Sequence, residues 1–289
     1  MQWDGQSESE NVDDRRGFGS GGRVAIGGVG GLILIGLALL FGVDPRQLLP
    51  QGDGGGAGPA GNPRAVQPAN PEDEKLAHFS KVILHDTEIV WDEQFRKMGR
   101  EYVKPTLVLF TDSVDSACGS ANSAVGPFYC SRDSEVYIDL SFYRQMQRTL
   151  NSPGEFARAY VLAHEVGHHV QHLLGYSAIA EKAGRIQGRH VQQQMSVRME
   201  LQADYFAGVW AHHAQEKFHF LDRGDVESAL HAAFEIGDDR LQQKGRGYVV
   251  PDSFTHGTSQ QRMRWFQKGF ETGNVDDARS LIDLDYEKL

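Results

Sequence analysis

The sequence predicts an α+β fold, mostly helical with a small β-sheet, preceded by one transmembrane helix. Three observations lead to this prediction. Several long stretches carry apolar residues at helical spacing, two short stretches have the pattern of strands, and residues 24–43 form an uncharged apolar run. With 289 residues, 40% of them hydrophobic, the chain can bury a sizeable core. A net charge of −10 without a long basic run argues against nucleic acid as a partner.

The first 72 residues are predicted to lie outside the folded domain. Residues 1–23 are polar and rich in Gly, Ser, Asp and Glu, which indicates a disordered N-terminal arm. Residues 24–43 are twenty residues without a charge, enough to cross a hydrocarbon core of about 30 Å as a helix. Residues 44–72 are rich in Pro, Gly, Ala and Gln, a composition typical of a linker.

The apolar run has two competing interpretations. A cleaved signal peptide would have a shorter apolar core and a small-residue cleavage site, and Asp44-Pro45-Arg46 is a poor one. A buried soluble helix would be expected to show a polar face, which this run lacks. We therefore expect residues 24–43 to bind the lipid bilayer. Three arginines precede the run and only one closely follows it, so the positive-inside rule predicts a single-pass protein of the cell (inner) membrane, with a cytoplasmic N-terminus and a periplasmic or extracellular domain.

Residues 73–289 are predicted to form the folded domain. Its first helix is expected over residues 72–98, where apolar side chains recur at helical spacing. Two strands follow, at residues 106–110 and 135–140. Ser152, Pro153 and Glu155 predict the start of the next helix, with Ser152 as its N-cap, and Gly175 predicts its end. Further helices are predicted at residues 190–216, 225–236 and 258–270.

Two segments within these helices carry groups that bind metal ions. His164 and His168 are four residues apart, so both imidazoles project from one face of a helix and can bind one zinc ion. Glu165 lies about 100° round the helix from His164, where it can contact a metal-bound water without being a ligand. Glu200, on a later helix, can be the third ligand, and Asp204 can accept the free N–H of a ligating histidine. Three protein ligands with an open fourth position indicate a catalytic zinc site, with one Zn²⁺ per chain.

The motifs HEVGHHVQ and ELQADYFAGVWA, with the later segment Asp252–Thr258, resemble the bacterial family of neutral zinc metallopeptidases. The resemblance covers roughly residues 74 to 285. It implies a gluzincin-like enzyme, in which a zincin-like domain places a small sheet beside the HExxH helix and binds protein or peptide substrates along the edge strand.

A second resemblance concerns the C-terminal part of the domain. The membrane-bound M48-type peptidases have a similar scheme, including a Thr-His pair followed by an arginine six positions after the histidine. His256 and Arg262 have that spacing here, although a glycine follows His256 where the M48 pattern has proline. The resemblance implies that His256 stabilises the tetrahedral intermediate and that Arg262 supports the site.

Cys118 and Cys130 lie between the two predicted strands, twelve residues apart. They can be a disulfide, a pair of metal ligands or inert thiols. No histidine or third cysteine lies in that loop, so a disulfide is the favoured interpretation, provided that the domain is exported.

The sequence thus predicts a membrane-anchored zinc peptidase in which Glu165 is the general base and His256 an oxyanion donor. Two alternatives stay open. One is a catalytically silent zinc-binding module with a regulatory or binding role, which the presence of Glu165 disfavours. The other is a zinc hydrolase of a non-peptide amide, such as a cell-wall crosslink.

Overall fold

A computed structural model describes residues 1–16, 70–122, 126–149 and 154–289 of the chain. The described part is mostly helical and contains a small sheet, so the predicted α+β class is confirmed. The predicted transmembrane helix and most of the predicted linker lie outside the described residues. Within the described ranges, no helix is both long enough and apolar enough to cross a membrane.

The sheet has four strands in the order β1-β2-β6-β5. Strands β1 (Val12–Asp14), β2 (Thr106–Phe110) and β6 (Glu135–Asp139) run parallel, and β5 (Phe128–Cys130) pairs antiparallel with β6 at the edge. The two predicted strands correspond to β2 and β6. A separate hairpin of β3 (Ser113–Ser116) and β4 (Gly119–Asn122) precedes β5.

Nine α-helices make up most of the described chain: α1 Pro71–Lys97, α2 Leu140–Thr149, α3 Glu155–Leu174, α4 Tyr176–Gln187, α5 Arg189–Phe218, α6 Asp225–Glu235, α7 Asp238–Arg246, α8 Ser259–Thr272 and α9 Ser280–Asp283. The predicted helices correspond to α1, α3, α5, α6 and α8. The predicted N-cap of α3 is wrong, because Gly154 occupies that position, whereas Gly175 ends the helix in a left-handed conformation as expected. Thr258 caps α8 in a capping box with Gln261.

The prediction of a disordered arm over residues 1–23 is wrong for residues 1–16, which belong to the fold. Val12, Asp13 and Asp14 pair with β2, and the Trp3 side chain is only 5% exposed. The Trp3 indole donates to Glu155 at the start of α3, over 3.0 Å. This N-terminal segment is short and mostly polar, so it shows no apolar periodicity. Contacts with residues far away in the sequence hold it in place.

Helices α3, α5 and α8 pack closely and position the polar groups described below. Gly167 faces Ala203, whose carbonyl oxygen would lie 2.9 Å from a Cβ atom at position 167. Where α5 crosses α8, a Cβ on Gly208 would lie 2.1 Å from the Phe266 carbonyl oxygen. A larger residue at either position would therefore force the helix backbones apart.

Candidate metal centre and cleft

His164, His168 and Glu200 are brought together between α3 and α5. Glu200 lies 3.2 Å from His164 Nε2 through one carboxylate oxygen and 3.5 Å from His168 Nε2 through the other. The three ligand atoms lie within 4.8 Å of one another. Two imidazole nitrogens and a carboxylate that converge in this way fit a Zn²⁺ ion, which takes histidine nitrogen and carboxylate oxygen as ligands.

In His164 and in His168, Nδ1 has a hydrogen-bond partner, which leaves Nε2 to face Glu200. His164 Nδ1 donates to Asp204 over 2.8 Å, and His168 Nδ1 donates to Gln171 Oε1, also over 2.8 Å. The amide nitrogen of Gln171 donates in turn to the Met199 carbonyl oxygen over 2.6 Å. These bonds fix the tautomer and the orientation of both imidazoles.

Asp204 is fully buried, and its carboxylate has three side-chain partners: His164, Arg262 and Tyr160. Arg262 donates to both of its carboxylate oxygens, over 2.8 and 2.9 Å, and the Tyr160 hydroxyl donates over 2.5 Å. Burial alone would raise the pKa of Asp204, but Arg262 and His164 hold it at about 2, well below its ordinary value. The carboxylate is therefore ionised and accepts the Nδ1 proton of His164.

Glu165 follows His164 directly in the sequence and lines the same cleft, but it is not one of the three candidate ligands. Its side chain is buried, and burial raises the pKa of this carboxyl above its ordinary value. A carboxylate with a raised pKa is a stronger proton acceptor, which suits a general base.

His256 is 6% exposed and also lines the cleft. Its Nδ1 lies 3.0 Å from Asp238, whose other carboxylate oxygen accepts the backbone N–H groups of Thr255 and His256, both over 2.6 Å. The remaining ring nitrogen, Nε2, is buried and has no hydrogen-bond partner among the described residues. Although burial lowers the pKa of His256, Asp238 and Glu200 raise it above its ordinary value on balance. The protonated ring can then donate from Nε2.

The cleft over these groups measures about 760 Å³. The β3–β4 hairpin and the edge strand β5 form one wall, and a disulfide between Cys118 and Cys130 joins them. Helices α2, α4, α5, α6 and α7 contribute further lining residues.

Several other histidines lie away from the metal centre. His169 is buried behind it: its Nε2 donates to the Val103 carbonyl oxygen over 2.6 Å, and burial lowers its pKa to about 4. His212, His213 and Glu216 form a half-exposed group at the far end of α5. Both histidines there have a backbone carbonyl partner in the segment Phe270–Gly273.

Sequence reasoning missed three residues that surround the site: Tyr160, Gln171 and Asp238. Tyr160 and Gln171 each lie within one helical turn of a ligating histidine, and this spacing was the available signal. Asp238 stands eighteen residues before His256, and only the fold of α6, α7 and the following loop brings the two together.

Two histidines one turn apart on one helix, a glutamate from a second helix and a further glutamate at the cleft form the arrangement that the HExxH motif predicts. The comparison with known families agrees. The family described as "Putative neutral zinc metallopeptidase" matches residues 1–281, and the chain belongs to this family. The match includes the N-terminal residues that pair with β2.

Two relatives span much of the chain. The Escherichia coli K12 protein named "Uncharacterized protein YpfJ" is 47% identical over 286 residues, which cover 95% of this chain and 96% of that protein. The Mycobacterium tuberculosis H37Rv protein named "Uncharacterized protein Rv2575" is 43% identical over 195 residues, or 63% of this chain and 65% of that protein. No solved structure gives a significant match.

Proposed function

We propose that this protein is a zinc-dependent peptidase that hydrolyses peptide bonds of protein or peptide substrates. One observation carries the proposal: the ligand atoms of His164, His168 and Glu200 converge beside Glu165, a buried carboxylate that is not one of the ligands. A structural zinc site has no use for such a carboxylate. His256 and Asp238 add a second polar group at the same cleft.

His164, His168 and Glu200 would hold the zinc ion. When bound, zinc makes a water molecule acidic near neutral pH and polarises the substrate carbonyl group. Glu165 takes the proton of the attacking water and delivers it to the leaving amine. His256, held by Asp238, donates from Nε2 to the oxygen on which negative charge develops.

Asp204 and Arg262 act on the site without touching the substrate. Asp204 keeps His164 in the tautomer whose Nε2 lone pair is free, and Arg262 keeps Asp204 ionised. Burial of the Glu165 side chain raises its pKa, which suits its role as the base.

The Glu165→Gln substitution tests the proposal, because it removes the base and keeps the three ligands. Bound zinc, measured by elemental analysis, should stay near one ion per chain, and cleavage of fluorescein-labelled casein should fall by about 10²–10⁴. The matched variants His168→Ala and Glu200→Gln should lose zinc together with activity. Casein cleavage by Glu165→Gln at the wild-type rate would contradict the proposal, as would zinc binding that survives both ligand changes.

A further inference from the structure

The last turns of α5 carry a second group of potential metal ligands. His212 Nε2 lies 3.6 Å from one carboxylate oxygen of Glu216, and His213 Nδ1 lies 3.3 Å from the other. The three ligand atoms lie within 4.8 Å of one another. Glu200 of the catalytic centre is about 18 Å from His212 along the helix axis, since each residue adds about 1.5 Å. The two groups therefore cannot share an ion.

The spacing of these atoms resembles that at the catalytic centre. There, Glu200 lies 3.2 and 3.5 Å from the two ligating nitrogens. At the end of α5 the helix itself produces the spacing, because Glu216 follows His212 by four residues and His213 by three, which are neighbouring positions on a helix surface. A tetrahedral zinc ion with bonds of about 2.0–2.2 Å holds its ligand atoms roughly 3.3–3.6 Å apart. The spacing therefore suits a zinc ion.

Backbone carbonyl groups orient both imidazoles towards Glu216. His212 Nδ1 donates to the Phe270 carbonyl oxygen over 2.7 Å. His213 Nε2 donates to the Gly273 carbonyl oxygen over 2.8 Å. Because a carbonyl oxygen only accepts, the proton of each neutral ring lies on that nitrogen, and a lone pair lies on the nitrogen that faces Glu216. A histidine that binds a metal ion usually donates its other ring N–H in this way.

Three electron-rich atoms thus face one another and need positive charge between them. No lysine or arginine pairs with Glu216 in the described part of the chain, and its neighbour Lys217 contacts Glu93 of α1 instead, over 3.0 Å. Protons on both imidazoles would place two positive rings 4.9 Å apart beside one carboxylate. One divalent cation accepts both lone pairs and neutralises the carboxylate, so it satisfies all three atoms with less repulsion.

The end of α8 has room for the His212 ring. Gly273 ends α8 in a left-handed conformation, with φ 59°, and a Cβ atom there would lie 2.3 Å from His212 Cδ2. The Phe270 and Gly273 carbonyl oxygens are at the C-terminal end of α8, where backbone carbonyls lack helical partners. The two imidazoles therefore connect the end of α5 with the end of α8, the helix that carries Arg262.

We propose that His212, His213 and Glu216 bind a second Zn²⁺ ion, which strengthens the connection between α5 and α8 and stabilises the fold. Water fills the remaining coordination position, because the histidines are partly exposed and Glu216 is exposed. Such a surface site binds zinc more weakly than the buried catalytic centre. Dialysis against zinc-free buffer therefore removes the second ion and leaves one zinc per chain.

Calorimetric titration of the dialysed, zinc-containing protein with ZnCl₂ tests the site. The wild-type protein should bind one further equivalent, and Glu216→Gln and His213→Ala should each weaken this binding by at least about 10–100-fold. Glu216→Gln keeps the size of an exposed side chain, so without added zinc its melting temperature should stay near the wild-type value. The matched control His190→Ala removes an exposed histidine near the start of α5 and should leave the titration unchanged.

Thermal unfolding gives a second readout. At free zinc about a hundredfold above the Kd of the second site, the melting temperature of the wild-type protein should rise by about 5–10 °C over that of the dialysed protein. The rise should be largely absent in Glu216→Gln and intact in His190→Ala. A wild-type protein that binds no further equivalent would overturn the proposal, as would Glu216→Gln binding it as tightly as the wild type.

Discussion

Asp238 holds His256 through the ring and through the backbone. Its carboxylate accepts N–H groups from Thr255, His256 and Gly257, over 2.6, 2.6 and 3.2 Å, and one of its oxygens lies 3.0 Å from His256 Nδ1. Its neighbour Asp239 has a different role, because it accepts from the backbone N–H and hydroxyl of Ser259 at the start of α8, both over 2.8 Å. Two adjacent carboxylates thus offer a matched pair of variants.

Asp238→Asn should lower kcat by about 10–100-fold with little change in KM, because a neutral amide no longer favours the protonated imidazole that donates in the transition state. Zinc content should stay at the wild-type level, and the alkaline limb of the pH–kcat profile should move to lower pH. In a His256→Ala background the same change should have no further effect on kcat. Asp239→Asn should lower only the melting temperature, and equal kcat losses in the two variants would reduce Asp238 to a structural role.

Asp86 is a buried carboxyl on α1, 1% exposed, and one of its oxygens has no hydrogen-bond partner in the part of the chain that the structure describes. Burial raises its pKa to about 7. The folded protein therefore binds a proton here between about pH 4 and pH 7 that the unfolded chain has released. The contribution of Asp86 to stability falls as pH rises through this window and is constant above it.

Asp86→Asn should remove this pH dependence, because the amide does not titrate. The free energy of unfolding at pH 8 should rise by roughly 1–3 kcal/mol, somewhat less than the three or so pKa units imply, since the amide also lacks a full set of partners. Urea unfolding at pH 5 and pH 8 measures the effect. A variant that loses stability at both values would show that the ionised carboxylate has a favourable partner.

At the residue scale, the sequence predicted those site residues whose relative positions are set within a single helix. His164, Glu165 and His168 follow from the helical period alone, and Asp204 from its position one turn after Glu200. Asp238 depends on how α6, α7 and the loop before α8 fold together, and such distances in space are not encoded by spacing in the chain.

At the scale of elements, periodicity predicted the long helices well. Helices α1, α3 and α5 each bury one or more faces over five turns or more, which gives a strong 3.6-residue signal. The short elements α2, α4, α7, β3, β4 and β5 were not predicted, because three to twelve residues carry too few periods. Strand β1 was not predicted, since two of its three residues are exposed aspartates and its conformation depends on pairing with β2.

The disulfide joins two elements that line the cleft. Cys118 lies in the turn between β3 and β4, and Cys130 ends the edge strand β5. The bond limits how far the hairpin can move from the sheet. The hairpin residues Ser116, Gly119 and Ala121 line the cleft, so this limit also fixes one cleft wall.

Replacing both cysteines by serine should lower the free energy of unfolding by roughly 2–3 kcal/mol, as expected for a loop of this length. Casein cleavage should weaken mainly through a higher KM, while zinc stays bound, because the ligands lie on α3 and α5. Dithiothreitol should reproduce the loss in the wild-type protein and have no effect on the double-serine variant. An unchanged KM in that variant would mean that the hairpin does not form the substrate-binding wall.

At the scale of the whole molecule, residues 1–16 and the described residues from 70 onwards form one folded unit. Glu88 of α1 accepts from Ser9 and Asn11, over 2.7 and 2.8 Å, and ties the N-terminal segment to the domain. Arg16 donates to the carbonyl oxygen of Asp73 over 3.1 Å. Arg16 and Asp73, which lie close to the two ends of the segment 17–69, are therefore near each other in space.

This arrangement contradicts the predicted orientation, in which the N-terminus and the catalytic domain lie on opposite sides of a membrane. A single crossing between residues 16 and 70 would place β1 and β2 on opposite sides, and strands that share hydrogen bonds must lie on the same side. The arginine count before and after the apolar run could not reveal this, because the positive-inside rule assumes that the two flanks fold independently.

We therefore expect Met1 and Leu289 to lie on the same side of any membrane with which the protein associates. The two native cysteines form the disulfide, so a single added cysteine can be labelled selectively. Glu10→Cys and Glu271→Cys introduce thiols at exposed positions in the N-terminal segment and near the end of α8. A membrane-impermeant maleimide should label both variants in intact cells or label both only after lysis, with casein cleavage as the control for folding. Labelling of one variant in intact cells and of the other only after lysis would restore the single crossing, and would require β1 to separate from β2 in the cell.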